Sequence, residues 1–189
     1  MKLYISAFPG IDRLARNLFT LVELISCGFA LFSPTPVLCS ALFLTHTMLM
    51  DGDSIKVLQA LPNLRCLRFI RGYNGEKMHF EGGGFQKLKS LRLAGLTELN
   101  TMIIDQGAIP LLEILEITCC KSLKEVPSGI QHLQNLKQLS FALMSDEFNE
   151  RLSPNNGQDY WIVKHVPVLQ YDSDRLMYFS SSLYWWYEK

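Results

Sequence analysis

A short apolar pattern, Leu-x-x-Leu-x-Leu or a close variant, occurs four times in the middle of the chain, always with the same 24-residue spacing between copies. One more apolar residue lies three positions before each copy, so the pattern has four columns and 16 positions. All of them are apolar in a chain that is 48% apolar, and chance produces such a match with a frequency of about 10⁻⁵. The columns comprise Leu61, Leu64, Leu67 and Phe69; Phe85, Leu88, Leu91 and Leu93; Ile109, Leu112, Leu115 and Ile117; and Leu133, Leu136, Leu139 and Phe141.

This period predicts a solenoid built from leucine-rich repeats, whose length is about 20–29 residues. The last two apolar residues of each copy are two positions apart, which is the period of a β-strand with one buried face. No single repeat can bury that face alone, so successive strands must stack in parallel. We therefore expect an α/β fold, with a curved parallel sheet on the concave side and loops, 3₁₀ turns or short helices on the convex side.

The pattern also suggests where the repeats begin and end. Leu42-x-Leu44 precedes Leu67-x-Phe69 by one position more than the repeat spacing and predicts an earlier strand. Residues 160–163, Tyr-Trp-Ile-Val, are interpreted as a last strand that closes the solenoid. The expected organisation is an apolar non-repeat segment over residues 1–41, a repeat domain over 42–170 and an irregular tail over 171–189.

The first repeat is richer in glycine than the others. Residues 72–75 and 82–84 predict an exposed, turn-rich bulge on the rim, with Met78 and Phe80 forming a small extra strand. A phosphate-binding glycine loop is disfavoured, because the spacing GxxxxGK[ST] does not occur.

If the strand register is correct, the alternate residues of each strand lie on the concave face. The functional interpretation is a docking surface for a protein partner, in which arginine is a favoured anchor; the alternative is an ordinary solvated surface. The N-terminal half of the face is basic and then meets an acidic pair. The candidate residues are Arg65, Arg68, Lys89, Arg92, Glu113, Glu116, Thr118, Gln138 and Ser140.

Composition narrows the possible functions. Lys and Arg number 18, as do Asp and Glu, so the basic excess of a nucleic-acid binder is missing. The chain has five cysteines without a CxxC pair, which favours a reducing, cytoplasmic compartment and gives no metal site. Cys120 is expected to be a buried, inert thiol, and Cys119 has no base beside it in sequence. We expect no catalytic residue, no cofactor and no enzyme activity.

A series of short motifs resembles the C-terminal repeats of plant disease-resistance proteins of the coiled-coil, nucleotide-binding, leucine-rich-repeat class. The motifs are Leu61-Pro62-Asn63-Leu64, Gly83-Gly84-Phe85, Gly107-Ala108-Ile109-Pro110, Cys119-Cys120-Lys121-Ser122-Leu123, Val126-Pro127-Ser128-Gly129-Ile130 and residues 160–167. The resemblance covers about residues 42–170 and implies a role in innate immunity. Its partner would be a pathogen effector, a host protein or a nucleotide-binding domain supplied by another chain. The P-loop, the Met-His-Asp motif and the coiled-coil heptads of that class do not occur, so a truncated form is expected.

Two alternatives to a recognition module remain open at this point. The apolar residues 18–44 could anchor or export the chain, although Glu23, Pro34 and Pro36 interrupt them and make a membrane role less favoured. The chain could also be a gene fragment without a function of its own. A recognition face predicts that charge reversal at Arg68 and Arg92 abolishes partner binding without lowering the melting temperature.

Overall fold

The computed structural model describes residues 22–23, 40–45, 52–59 and 61–171. Short strands dominate this part of the chain, and the helices in it are few and short. The strands are β1 (Val22–Glu23), β2 (Ala41–Thr45), β3 (Cys66–Ile70), β4 (Lys77–Phe80), β5 (Ser90–Ala94), β6 (Thr101–Ile104), β7 (Ile114–Thr118), β8 (Gln138–Ala142) and β9 (Val168–Tyr171). The helices are α1 (Gly52–Gln59), α2 (Asp146–Arg151) and α3 (Tyr160–Val163), and Ile130–His132 form a 3₁₀ turn.

Seven of the strands form one sheet in the order β1-β2-β3-β5-β7-β8-β9. Every pair from β2 to β9 is parallel, and only β1 runs antiparallel to its neighbour β2. Leu67, Leu91, Leu115 and Leu139 are partners in successive pairs, as the 24-residue spacing predicts. The predicted earlier strand is also present, because Leu42 is the partner of Leu67 in β2. The predicted leucine-rich-repeat solenoid is therefore confirmed.

The repeated apolar columns form the core. Fifteen of the 16 pattern positions are buried, and Leu61 is half-buried against the same cluster. Leu67, Leu91, Leu115 and Leu139 are completely inaccessible to solvent. Because each side chain packs on its equivalents in the repeats before and after it, the core runs without interruption along the stack. Burying one leucine contributes about 1.5–3 kcal/mol, so these columns supply most of the stabilisation.

Two backbone features recur with the same period as the apolar columns. At the start of β3, β5, β7 and β8 two consecutive N–H groups donate to one carbonyl of the preceding repeat; the carbonyl of Lys89, for example, accepts from Glu113 at 2.9 Å and Ile114 at 3.0 Å. Directly after β3, β5, β7 and β8 the chain turns through a residue in the left-handed region. These residues are Arg71, Gly95, Cys119 and Leu143, with φ of 50°, 66°, 55° and 54°. The turn is thus set by the repeat rather than by glycine, which occupies it only once.

The first repeat differs from its prediction on one point. Met78 and Phe80 do lie in a strand, because β4 pairs in parallel with β6 to form a second sheet that packs against α1. The bulge over residues 72–75, however, is not exposed as expected. Tyr73 is 1% exposed, its ring packs edge-on against Phe69, and its hydroxyl donates to the carbonyl of Lys77 at 2.6 Å. The tyrosine ring fills the interior where other repeats place a leucine, and only Gly82 and Gly83 of the glycine-rich segments are exposed.

The C-terminal end of the solenoid also corrects a prediction. Residues 160–163 form helix α3 and not the expected last strand, which is β9. The carboxylate of Asp159 holds this end together, since it accepts two hydrogen bonds from Arg151, from Nε at 2.8 Å and Nη2 at 3.1 Å, and one from the backbone of Val126 at 3.3 Å. Two helices are inserted here, so Val168 pairs with Gln138 across a connection longer than the repeat spacing, and the periodic pattern does not locate β9.

Three predictions for the two ends of the chain lie mostly outside the described residues. They concern the apolar segment 1–41, the possible anchor over 18–44 and the irregular tail 171–189. Within the described ranges, no helix has the length and apolarity needed to cross a membrane.

Gly129 offers a sharp test of the packing between the repeats. Its φ is 95°, and a Cβ atom added there would lie 1.8 Å from the backbone carbonyl oxygen of Ile104. We expect Gly129→Ala to lower the free energy of unfolding by at least about 2 kcal/mol, because the backbone of one repeat must move away from the other.

The matched control is Gly107→Ala. Gly107 has a similar φ of 75°, but nothing lies within 4 Å of the added Cβ, so only the conformational cost of about 1 kcal/mol applies. Urea denaturation of the full chain measures both variants. Equal losses would show that the close approach at Gly129 does not matter.

Candidate functional site

The outward-pointing residues of the seven-stranded sheet form the candidate site, which we call the open sheet face. In the middle of the strands, the register aligns one residue from each repeat in a single row across the sheet. Arg65, Lys89, Glu113 and Lys137 form a second row directly before β3, β5, β7 and β8. The middle row consists of Phe43, Arg68, Arg92, Glu116, Ser140 and Gln170.

Arg92 and Glu116 form an ion pair in the middle row. They are direct partners on β5 and β7, and Arg92 Nε lies 3.0 Å from Glu116 Oε2. The two atoms are not aligned for a hydrogen bond. Arg92 Nε is therefore a buried donor that has no hydrogen-bond acceptor among the described residues. Because only 11% of the Glu116 side chain is exposed, its carboxylate depends on this arginine for compensation of its charge.

Glu113 bridges two lysines in the row at the strand starts. Its carboxylate accepts hydrogen bonds from Lys89 Nζ at 2.6 Å and from Lys137 Nζ at 2.7 Å, one from each neighbouring repeat. The hydrogen bond from Lys137, followed by that from Lys89, lowers the pKa of Glu113 to about 2. One acidic residue thus neutralises much of the charge of two basic residues along this edge.

Arg68 has no such acidic partner in the described part of the chain. Its guanidinium carbon lies 5.1 Å from the centre of the Phe43 ring, in a cation–π contact, while Arg92 is its neighbour on the other side. Burial, and then the positive charge of Arg92, lower the pKa of Arg68. Its Nε is buried without a hydrogen-bond acceptor among the described residues, an arrangement that costs about 1–3 kcal/mol. The charge of Arg68 is therefore not compensated by an ion pair among the described residues.

All nine predicted site residues lie on the open sheet face or directly at its strand starts. Thr118 and Gln138 are half-buried there, in the two columns that flank the middle row. The expectation that every one of the nine is exposed is wrong for two of them, because Glu116 is 8% exposed and Ser140 is 1% exposed. Glu116 is drawn against Arg92, and Ser140 is a short side chain between the longer Glu116 and Gln170.

Two residues of the middle row were not among the candidates. Phe43 lies between Leu42 and Leu44, so the pattern that predicts β2 also predicts its outward direction. Gln170 could not be found in this way, because the strand that carries it does not follow the 24-residue spacing.

The cysteines of the described region differ in their position, and Cys66 lies in β3 on the same side of the strand as Arg68. Cys120 is completely buried in the core, and burial raises the pKa of its thiol to about 11. Cys119 is half-buried in the left-handed turn after β7. Cys66 and Cys120 are free thiols.

The stacked parallel strands, the 24-residue spacing and the continuous apolar columns define the chain as a leucine-rich-repeat solenoid. Over 123 residues, or 65% of its length, it is 35% identical to disease resistance protein RPP8 of Arabidopsis thaliana. It is 34% identical over 122 residues to disease resistance protein RPM1 of the same plant. The repeat region of this chain is therefore homologous to plant disease-resistance proteins, as the motif series indicates.

The match covers only a small part of each relative, 13% of the length of RPP8 and 13% of that of RPM1. No family model matches the chain. No solved structure matches it significantly.

The bridging glutamate gives a pH-dependent prediction. Since the pKa of Glu113 is lowered from 4.5 to about 2, its contribution to stability is present above pH 4.5 and is lost as the pH falls towards 2. We expect Glu113→Gln to lower the melting temperature at neutral pH, and the difference from wild type to shrink over that interval. The control is Glu98→Gln, at an exposed residue without an ion pair among the described residues. A pH-independent difference at Glu113 would contradict the bridge.

The ion pair in the middle row is suited to a double-mutant cycle. Arg92→Leu leaves the Glu116 carboxylate buried without a cation, and we expect it to cost about 1–3 kcal/mol of unfolding free energy. The cost is below that of a fully buried pair because 33% of the Arg92 side chain is exposed. Adding Glu116→Leu removes the uncompensated charge, so the double variant should be more stable than the sum of the single effects predicts. Additive losses in urea denaturation would show that the two charges are not coupled.

Proposed function

We propose that this chain is a recognition module of plant defence, which binds a protein partner through the open sheet face and performs no catalysis. The homology of its repeats to disease-resistance proteins carries this proposal. A defence activity and a partner like those of the complete relatives are part of this proposal. The partner would be a pathogen effector, a host protein or a nucleotide-binding domain on another chain.

The structure of the face supports a role in binding. Repeat proteins use extended sheet surfaces to bind partners, and this one presents basic and acidic side chains on a rigid scaffold. The ion pair of Arg92 with Glu116 and the bridge at Glu113 hold several of these side chains in place before a partner arrives. Such preorganisation reduces the entropy lost on association.

A cytoplasmic location is part of the same proposal. Cys66 and Cys120 are free thiols, which persist in a reducing compartment. The homology supports the same setting, since a defence module of this type would meet its partner inside the plant cell.

The ion pair between Arg92 and Glu116 determines which charge reversal can test binding without also affecting folding. Reversal at Arg92 would place two carboxylates together beside the buried Glu116, so a loss of binding could reflect a loss of folding. Reversal at Arg68 does not have this problem, because a glutamate there would lie next to Arg92 and gain an opposite charge. Arg68→Glu should therefore leave the melting temperature unchanged or slightly raised.

The test is transient expression of the full chain in plant leaves, with ion leakage and pathogen growth as measures of the defence response. We expect the wild-type chain to alter both and Arg68→Glu to abolish the effect at equal protein levels. The matched control is Lys121→Glu, at an exposed lysine outside the open sheet face that forms no ion pair among the described residues. An identical response to the wild-type chain, both variants and an empty vector would refute the proposed function.

A further inference from the structure

The charges on the open sheet face do not balance, although those of the whole chain do. The two charged rows contain five basic residues, Arg65, Arg68, Lys89, Arg92 and Lys137, against the two acidic residues Glu113 and Glu116, an excess of three positive charges. The complete chain has 18 basic and 18 acidic residues. The excess is therefore a local property of this face.

The ion pairs show where in the face the excess lies. Glu116 pairs with Arg92, and Glu113 is shared by Lys89 and Lys137. Both carboxylates are thus engaged on the side of β5, β7 and β8. Among the described residues, neither Arg65 nor Arg68 forms an ion pair, and both belong to the β3 segment. The uncompensated charge is concentrated at one end of the face.

The surroundings of Arg68 hold its guanidinium ready for an anionic group. The Phe43 ring supports it at 5.1 Å on one side, and the Arg92 side chain, its neighbour in the register, repels it on the other. A carboxylate placed here would supply the missing acceptor and relieve the repulsion between the two arginines. Arginine also matches a carboxylate with two parallel hydrogen bonds, which a lysine cannot form.

The spacing of the cations indicates the form of the ligand. Arg65 and Arg68 are three positions apart along the chain, or about 10 Å, and the equivalent Lys89 and Arg92 lie one strand away, at about 4.8 Å. Side chains on one side of an extended segment recur every ~7 Å. Two or three acidic residues within a short stretch can therefore reach both arginines.

We propose that the β2–β3–β5 end of the open sheet face binds an acidic segment of a protein, with Arg68 as the anchor and Arg65 as a second contact. This inference rests on the proposed function and specifies the kind of partner. A nucleic acid also carries anions, but its regularly spaced phosphates need a long basic surface. The basic region here ends at Glu113 and Glu116.

The experiment titrates purified full chain into a fluorescein-labelled hexaglutamate peptide and follows fluorescence anisotropy at low and at physiological salt. We expect binding that weakens as salt is added, because the contact is between partly exposed charges. Arg68→Gln and Arg65→Gln should each weaken binding by about fivefold. Arg68→Lys should restore only part of the loss, which distinguishes a bidentate contact from simple charge attraction.

Lys124→Gln is the matched control, since it removes one positive charge away from this face and should leave the affinity unchanged. Equal weakening by Lys124→Gln, or no binding at low salt, would overturn the inference. Tighter binding of a labelled oligothymidylate than of the peptide would overturn it in favour of a nucleic acid. If the peptide fails to bind while Arg68→Glu still abolishes the defence response, the acidic partner is refuted and the proposed function stands.

Discussion

The fold depends on the register between neighbouring strands. Each residue of β5, β7 and β8 pairs with the residue 24 positions earlier, in the preceding strand of the sheet. A constant spacing satisfies two conditions at once. It stacks Leu67, Leu91, Leu115 and Leu139 in one buried column, and it places the N–H groups of each repeat opposite the carbonyls of the previous one. A shift by one residue would turn every inward leucine outward. For β3, β5, β7 and β8, the strand pairing, the core and the turns after the strands all follow from this single spacing.

The sequence predicts the interior well, because period and burial have the same physical cause. Where a repeat departs from the period, prediction fails for an identifiable reason. The helices α2 and α3 lengthen the connection before β9 beyond the repeat spacing, so no column marks Leu169 and Tyr171 as inward positions. Tyr73 is surrounded by glycines and therefore resembles an exposed loop residue. Its burial depends on an acceptor for its hydroxyl, the Lys77 carbonyl, which the local sequence does not reveal.

The candidate site was predictable in its position but not in its contacts. Alternation within a strand places six of the candidates on the outward side, namely Arg68, Arg92, Glu116, Thr118, Gln138 and Ser140. Arg65, Lys89 and Glu113 precede their strands, so the repeat spacing aligns them and alternation does not. The pairs could also have been read from the sequence, since Arg92 and Glu116 are one repeat apart and have opposite charges. The burial of Glu116 and Ser140 could not, because it depends on how far the neighbouring side chains extend over them.

The division between inward and outward residues explains how one scaffold serves both stability and recognition. The inward columns tolerate only apolar residues of suitable size, whereas the outward row contains an aromatic, a basic, an acidic and a hydroxyl side chain: Phe43, Arg68, Arg92, Glu116 and Ser140. Ion pairs between adjacent repeats reduce the number of side chains that can bind a ligand. A paired charge stabilises the solenoid, and its attraction for a ligand of opposite charge is weaker. A charge is available for recognition only where the neighbouring repeat supplies no opposite charge. On the described part of the face, that condition is met at β3, where an aromatic ring and a second arginine flank Arg68.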